Sequence, residues 1–167
     1  MSGAKFGAEF VTHEFDEAIA VQQSIVDAQA ALSESHPVAS AKRALKSSLA
    51  DDRRFLQQLK RFGKQHEATG KVEDVAGGLK ELMDSTLATA KKDGADSDFY
   101  EAHAVLLNLK RKQMDSAGAV IKIARATKDT ELRDAATEFE RGQRESSRTL
   151  AKELADYAVD IAQASRA

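Results

Sequence analysis

Apolar residues recur along the chain at the three-to-four-residue spacing of one helical face, in long blocks parted by short polar breaks. The first block predicts a helix over 9–32, with Val11, Phe15, Ile19, Gln22, Val26 and Ala30 on one narrow stripe. Ser33-Glu34-Ser35-His36-Pro37 interrupts it, and Pro37 suits the first turn of a second helix over 37–66. That helix aligns Val38, Ala41, Leu45, Leu49, Asp52, Leu56 and Leu59, and Gly63 and Gly70 mark where it frays. A weaker segment over 73–92 holds Val75, Leu79, Leu82, Met83 and Leu87. The turn Asp93-Gly94-Ala95-Asp96-Ser97 ends in capping chemistry and predicts a helix over 97–126. Its stripe is Phe99, His103, Leu106, Lys110, Met114, Ala117 and Ile121. After Thr127-Lys128-Asp129, a last helix over 130–164 aligns Leu132, Ala136, Phe139, Gln143, Ser146, Leu150, Leu154, Tyr157 and Ile161. With no internal repeat and no low-complexity linker, 1–167 reads as one all-α domain of four long helices. A short extra helix lies in the connection between the second and third.

Each long helix carries a polar residue in mid-stripe: Gln22, Asp52, Lys110 and Gln143. Antiparallel packing brings four such positions to a similar level. Burying them costs several kcal/mol apiece unless they satisfy one another, so the pattern predicts a shared polar layer. In that layer the Lys110 ammonium pairs with Asp52 and donates to the Gln22 and Gln143 carbonyl oxygens. Two alternatives stand beside it. Lys110 can extend to solvent from a stripe edge while Asp52 lies at a helix interface. A metal can instead be held by unorthodox ligands, Asp52 and His103.

Composition narrows the chemistry. The 25 Lys+Arg and 27 Asp+Glu leave a net charge of −2, which gives no overall drive toward nucleic acid or an anionic membrane. Lys42, Lys46, Arg53, Lys60 and Lys64 make a basic flank on the second helix, but it lacks interleaved aromatics and reads as a solvated face. Hydrophobic residues are 42% of the chain and 30 of them are alanine, so bulk has to be concentrated on the stripes. The absence of cysteine excludes a disulfide scaffold, a thiolate metal site and a cysteine nucleophile. No apolar run reaches the ~18 residues of a membrane span, and the first residues lack a signal-peptide layout, so a cytoplasmic location is expected.

Neither the histidines nor the glycines form a recognisable catalytic motif. His13, His36, His66 and His103 share no short ligand spacing, and His103 reads as a satisfied core or interface histidine. Gly77-Gly78 lacks the strand and the Lys-Ser/Thr of a phosphate loop. Small residues at Ala102, Ala117, Gly118, Ala136 and Gly142 permit close helix approach, while Val105, Leu107 and Ile123 are not needed by the stripes. Those three predict a face for a homodimer.

A long crossover between the second and third long helices is the ferritin-like arrangement, whose di-metal centre draws Glu and Glu-x-x-His ligands from four helices. The chain resembles the YciF-type branch of ferritin-like proteins, a stress-associated group. His13-Glu14-Phe15 is similar to that branch's His-Glu-Leu opening, and nine residues on, Gln22 stands at its first Glu. Val72-Glu73-Asp74-Val75 through Gly78-Leu79-Lys80-Glu81-Leu82-Met83 is similar to its crossover helix. Asn108 to Met114 falls where the branch has a Lys-Val-Glu-His-Tyr-Glu-Ile-like stretch, so Lys110 and Gln113 replace two glutamates. The resemblance implies that Gln22, Asp52, Phe55, Lys110, Gln113, Gln143 and Ser146 occupy the former ligand positions. Asp52 alone among them keeps a carboxylate. The expectation is a non-enzymatic ferritin-like protein, without cofactor, whose metal centre has become a polar core. A metal-dependent oxidase or iron-handling protein with unusual ligands, and a helical protein–protein interaction module, are the alternatives.

Overall fold

The computed structural model describes residues 5–72 and 75–164. These form an all-α protein of five helices: α1 (Gly7–Ser35), α2 (Ala39–Gln65), α3 (Val75–Asp93), α4 (Asp96–Ala126) and α5 (Thr130–Gln163). Glu73 and Asp74, where the extra helix is predicted to begin, lie outside the described residues.

Each long helix forms because its apolar stripe gains a partner on either side. Helix α1 packs on α2, α2 on α5, α5 on α4 and α4 on α1, closing a ring of four. Helix α3 lies against α1 and α4. The short connections force α1 and α2, and α4 and α5, to run antiparallel.

Core side chains gather toward the two ends of the ring. Toward one end, Ile25, Leu32, Leu45, Leu106 and Leu150 pack together and against Met83 of α3. Toward the other, Phe15, Phe62, Val120, Ile121, Leu132 and Ala136 form a second cluster. Phe55, Ala117 and Phe139 make a smaller group, with the Phe55 and Phe139 rings edge to face at 4.9 Å.

Several expectations require correction. Pro37 precedes α2 and is not in its first turn, because the Val38 N–H donates to the His36 ring and Val38 becomes the N-cap. Ser97 does not cap α4; Ala95 holds that position, and Asp96 is drawn across to accept from the Tyr157 hydroxyl. Gly63 is no fraying point. It is buried in the last turn of α2, where an added Cβ would stand 2.8 Å from Ile19. Met114 is only partly buried, and Gln113 takes the inward position beside it. Val105 and Leu107, predicted as free for a dimer face, are buried in the cluster that includes Ala76, Met83 and Ala90 of α3. Two of the three residues expected at a dimer face thus share a cluster with the crossover helix, while the third, Ile123, is half-buried and outside that cluster. Among the described residues, no helix is long and apolar enough to cross a membrane.

Candidate functional site

The four mid-stripe polar residues meet in one layer inside the ring. Gln22, Asp52, Lys110 and Gln143 are each no more than 1% exposed. One residue comes from each long helix. At its centre the Lys110 Nζ donates to Asp52 Oδ2 at 2.9 Å, to Ser146 Oγ at 3.1 Å and to Gln143 Oε1 at 3.4 Å. An ammonium has three protons and no acceptor site, so three acceptors satisfy it fully. Asp52 is equally occupied. Its Oδ1 accepts from Gln22 Nε2 at 3.1 Å and also from Gln143 Nε2.

Gln22 departs from the predicted wiring. Its carbonyl oxygen does not face Lys110 but accepts from Gln113 Nε2 at 3.1 Å, while its amide donates to Asp52. Gln113 also donates to the Ala18 carbonyl at 3.0 Å, which ties the layer to the α1 backbone. Its own Oε1 is the loose end, buried without a partner. Burial pushes the Lys110 amine below its ordinary value, and the charge and hydrogen bond of Asp52 oppose that shift. The Asp52 carboxylate at 2.9 Å favours the charged ammonium, whose three protons match the three acceptors around it.

Phe55 and Ser146 have different surroundings. Phe55 belongs to the aromatic group with Phe139, and α5 can approach it because residue 142 is glycine: an added Cβ there would lie 2.8 Å from the Phe55 ring. Ser146 lines a cleft of about 200 Å³ between α2 and α5, together with Asp52, Ser47, Ser48 and Thr149. This cleft connects the polar layer to the protein surface.

The donor chemistry of this layer does not fit a pair of divalent cations. Such cations need several carboxylates for charge balance and imidazoles to complete coordination. Asp52 supplies one carboxylate and already accepts from three side chains. Lys110 places a positive charge at the centre, where a cation would meet repulsion.

His103 lies elsewhere, in a second polar layer with His36. Val38 N–H donates to His36 Nδ1 at 3.1 Å, so His36 carries its proton on Nε2. That proton faces His103 Nδ1 at 3.3 Å, and His103 Nε2–H then donates to the Leu150 carbonyl at 2.9 Å. Both rings are fully buried, and the His36 ring packs 5.0 Å from that of Tyr157. Burial, with His103 close by, pulls His36 down to about 4, and burial lowers His103 in the same direction. Both nitrogens of His103 are used, and Asp52 is engaged in the other layer, so the two do not form a joint metal site.

Sequence reasoning missed three participants. His36 precedes a proline in a break between helices and has no stripe to place it. Gln29, buried and donating to Leu45 O and Ser48 Oγ, was not assigned to a face. The third is a group of His13, Glu14 and Glu17 on α1 whose potential ligand atoms lie within 4.8 Å of one another. Two lysines already engage that group: Lys5 Nζ is 2.9 Å from His13 Nδ1, and Lys112 donates to Glu17 at 3.1 Å.

The sequence matches no protein-family profile, and no curated protein matches it.

Proposed function

We propose that this chain is a ferritin-like, stress-associated protein of the YciF-type branch that works without a di-metal centre. The observation that carries the reading is the Lys110–Asp52 ion pair, 2.9 Å long and buried where the four long helices meet. The packing order α1–α2–α5–α4, with α3 in the connection between α2 and α4, supports the ferritin-like assignment. In this reading Lys110 replaces the cations, and Gln22, Gln143 and Ser146 serve as hydrogen-bonding groups in place of ligands. The centre holds four helices in register, and oxygen activation is not its task. Metal analysis after incubation with excess ferrous or manganous ion under air tests the proposal. Two equivalents retained by the wild-type chain and lost in Asp52→Asn would sink it.

The expected homodimer keeps the half-buried Ile123 after the loss of Val105 and Leu107, and a second apolar feature joins it. Phe6 and Phe10, one turn apart on one side of the α1 start, are 78% and 41% exposed. A dimer seen by light scattering and abolished by Phe6→Ser with Phe10→Ser would sustain it, and a wild-type monomer at high concentration would end it.

A further inference from the structure

We propose that the His36–His103 layer is an acid-released latch: taking up one proton frees the α1–α2 turn from α4 and α5 and opens that end of the ring locally, ahead of the rest of the fold. The relay has no site for a further proton. His36 Nδ1 accepts from the Val38 N–H, and the His103 Nε2–H is committed to the Leu150 carbonyl. The two facing nitrogens, 3.3 Å apart, hold one proton between them. Two neutral rings therefore fill every position. A proton added to His36 Nδ1 sets two donors against each other at Val38, and one added between the rings does the same there. Either way a buried hydrogen bond is lost.

That bond holds a lightly tied part of the fold. Val38 is the N-cap of α2 and makes no side-chain cap of its own. Among the described residues, two side-chain hydrogen bonds join residues 33–42 to α4 or α5. One is His36 to His103, and the other is Ser40 Oγ to Glu153 at 2.7 Å. The Tyr157–Asp96 bond links α5 to α4 and does not hold the turn. The other end of the ring closes on Phe15, Phe62 and Leu132, which acid leaves uncharged.

Charged groups around the layer act in both directions. Lys42 of α2 opposes a charge on His36, and Asp96 of α4 favours one. From α5, Glu153 favours a charge on His103, and Tyr157 is held in its protonated form by burial and by Asp96. Glu34, near the end of α1, pairs with Lys46 at the surface. Burial outweighs them, so His36 titrates at about 4 in the closed layer against 6.5 once released. The released form takes up the proton first as pH falls. It gains roughly twentyfold over the closed form between pH 7 and pH 5 on His36 alone.

The test is amide hydrogen exchange of the full chain with and without sub-denaturing urea. Exchange through a local opening is insensitive to such urea, whereas exchange through global unfolding follows it. At about pH 5 the Lys42 to Leu45 amides should exchange independently of urea. Corrected for intrinsic rates, they should do so roughly twentyfold faster than at pH 7. The Leu59 to Phe62 amides of the same helix should stay urea-dependent. His36→Gln still accepts from Val38 and donates to His103 but takes up no proton, so it should abolish the acid rise. Ser40→Ala removes the other tie and should quicken exchange at both pH values with the acid ratio intact. Urea-dependent exchange along the whole of α2 would overturn the proposal, as would an unchanged acid rise in His36→Gln. So would an acid rise lost in Ser40→Ala, which would make Glu153 the titrating group, or ring-nitrogen shifts at pH 7 that put the His36 proton on Nδ1.

Discussion

Lys110 Nζ and Asp52 Oδ2 stand 2.9 Å apart, with neither side chain more than 2% exposed. Each depends on the other, because a buried charge without its partner is far more costly than the pair. Lys110→Met should therefore destabilise the protein by about 3–5 kcal/mol, since it strands the Asp52 carboxylate among amides. Lys110→Met combined with Asp52→Asn should recover a large part of that loss. Urea unfolding of the wild type, both single variants and the double variant measures the coupling, and additive losses would show that the pair does not act as a unit.

The histidine layer predicts an acid-sensitive core. His36 titrates near 4 in the folded state against 6.5 ordinarily, so as pH falls the unfolded chain takes up the proton first. Its contribution is complete above 6.5 and is lost as pH drops toward 4. The loss for a shift of that size is on the order of 3 kcal/mol, and His103 moves in the same direction. Unfolding midpoints taken across that window should fall with acid in the wild type and fall less in His36→Gln.

Two mid-helix glycines should respond oppositely to alanine. At Gly142 an added Cβ would press on the Phe55 ring, and Gly142→Ala should cost about 1–3 kcal/mol. At Gly118 nothing lies within 4 Å, so Gly118→Ala should stabilise α4 by roughly 0.5–1 kcal/mol. Thermal unfolding of the two variants distinguishes crowding from helix propensity.

Helix α5 starts on a side-chain cap. The Leu132 N–H donates to Asp129 Oδ1 at 3.0 Å, and Asp129→Ala should lower stability by about 1 kcal/mol. Asp129→Asn should lose much less, because the amide oxygen can still accept that proton.

The helical pattern made much of this architecture readable because bulky residues mark the buried faces. Gln22, Asp52, Lys110 and Gln143 could be singled out because each interrupts such a face. Which amide oxygen meets which donor was not readable: Gln113 adjoins Met114, and a rotation of a fraction of a turn decides which of them points inward. Helix α3 was readable as a helix, but its buried face was not. It places Ala76, Met83 and Ala90 in the core and leaves Leu82 48% exposed. Alanines are so common here that they mark no face, so the burial of Val105 and Leu107 beneath α3 had no signal. His36 sits in a break between helices, where no periodicity assigns a direction, and only the folded chain brings it to His103.

The account rests on an ammonium occupying the centre of the helical ring. The most direct measurement is to follow the side-chain amide NMR signals of Gln22, Gln113 and Gln143 while manganous ion is added. All three lie in the Lys110–Asp52 network. A paramagnetic ion bound there would broaden them beyond detection, and so would one held nearby on α1 by His13, Glu14 and Glu17, so the titration is made on a Glu14→Gln, Glu17→Gln variant that lacks that group. The account predicts that the three amide signals persist in that variant at saturating manganese. Their disappearance, reversed by a chelator, would contradict it.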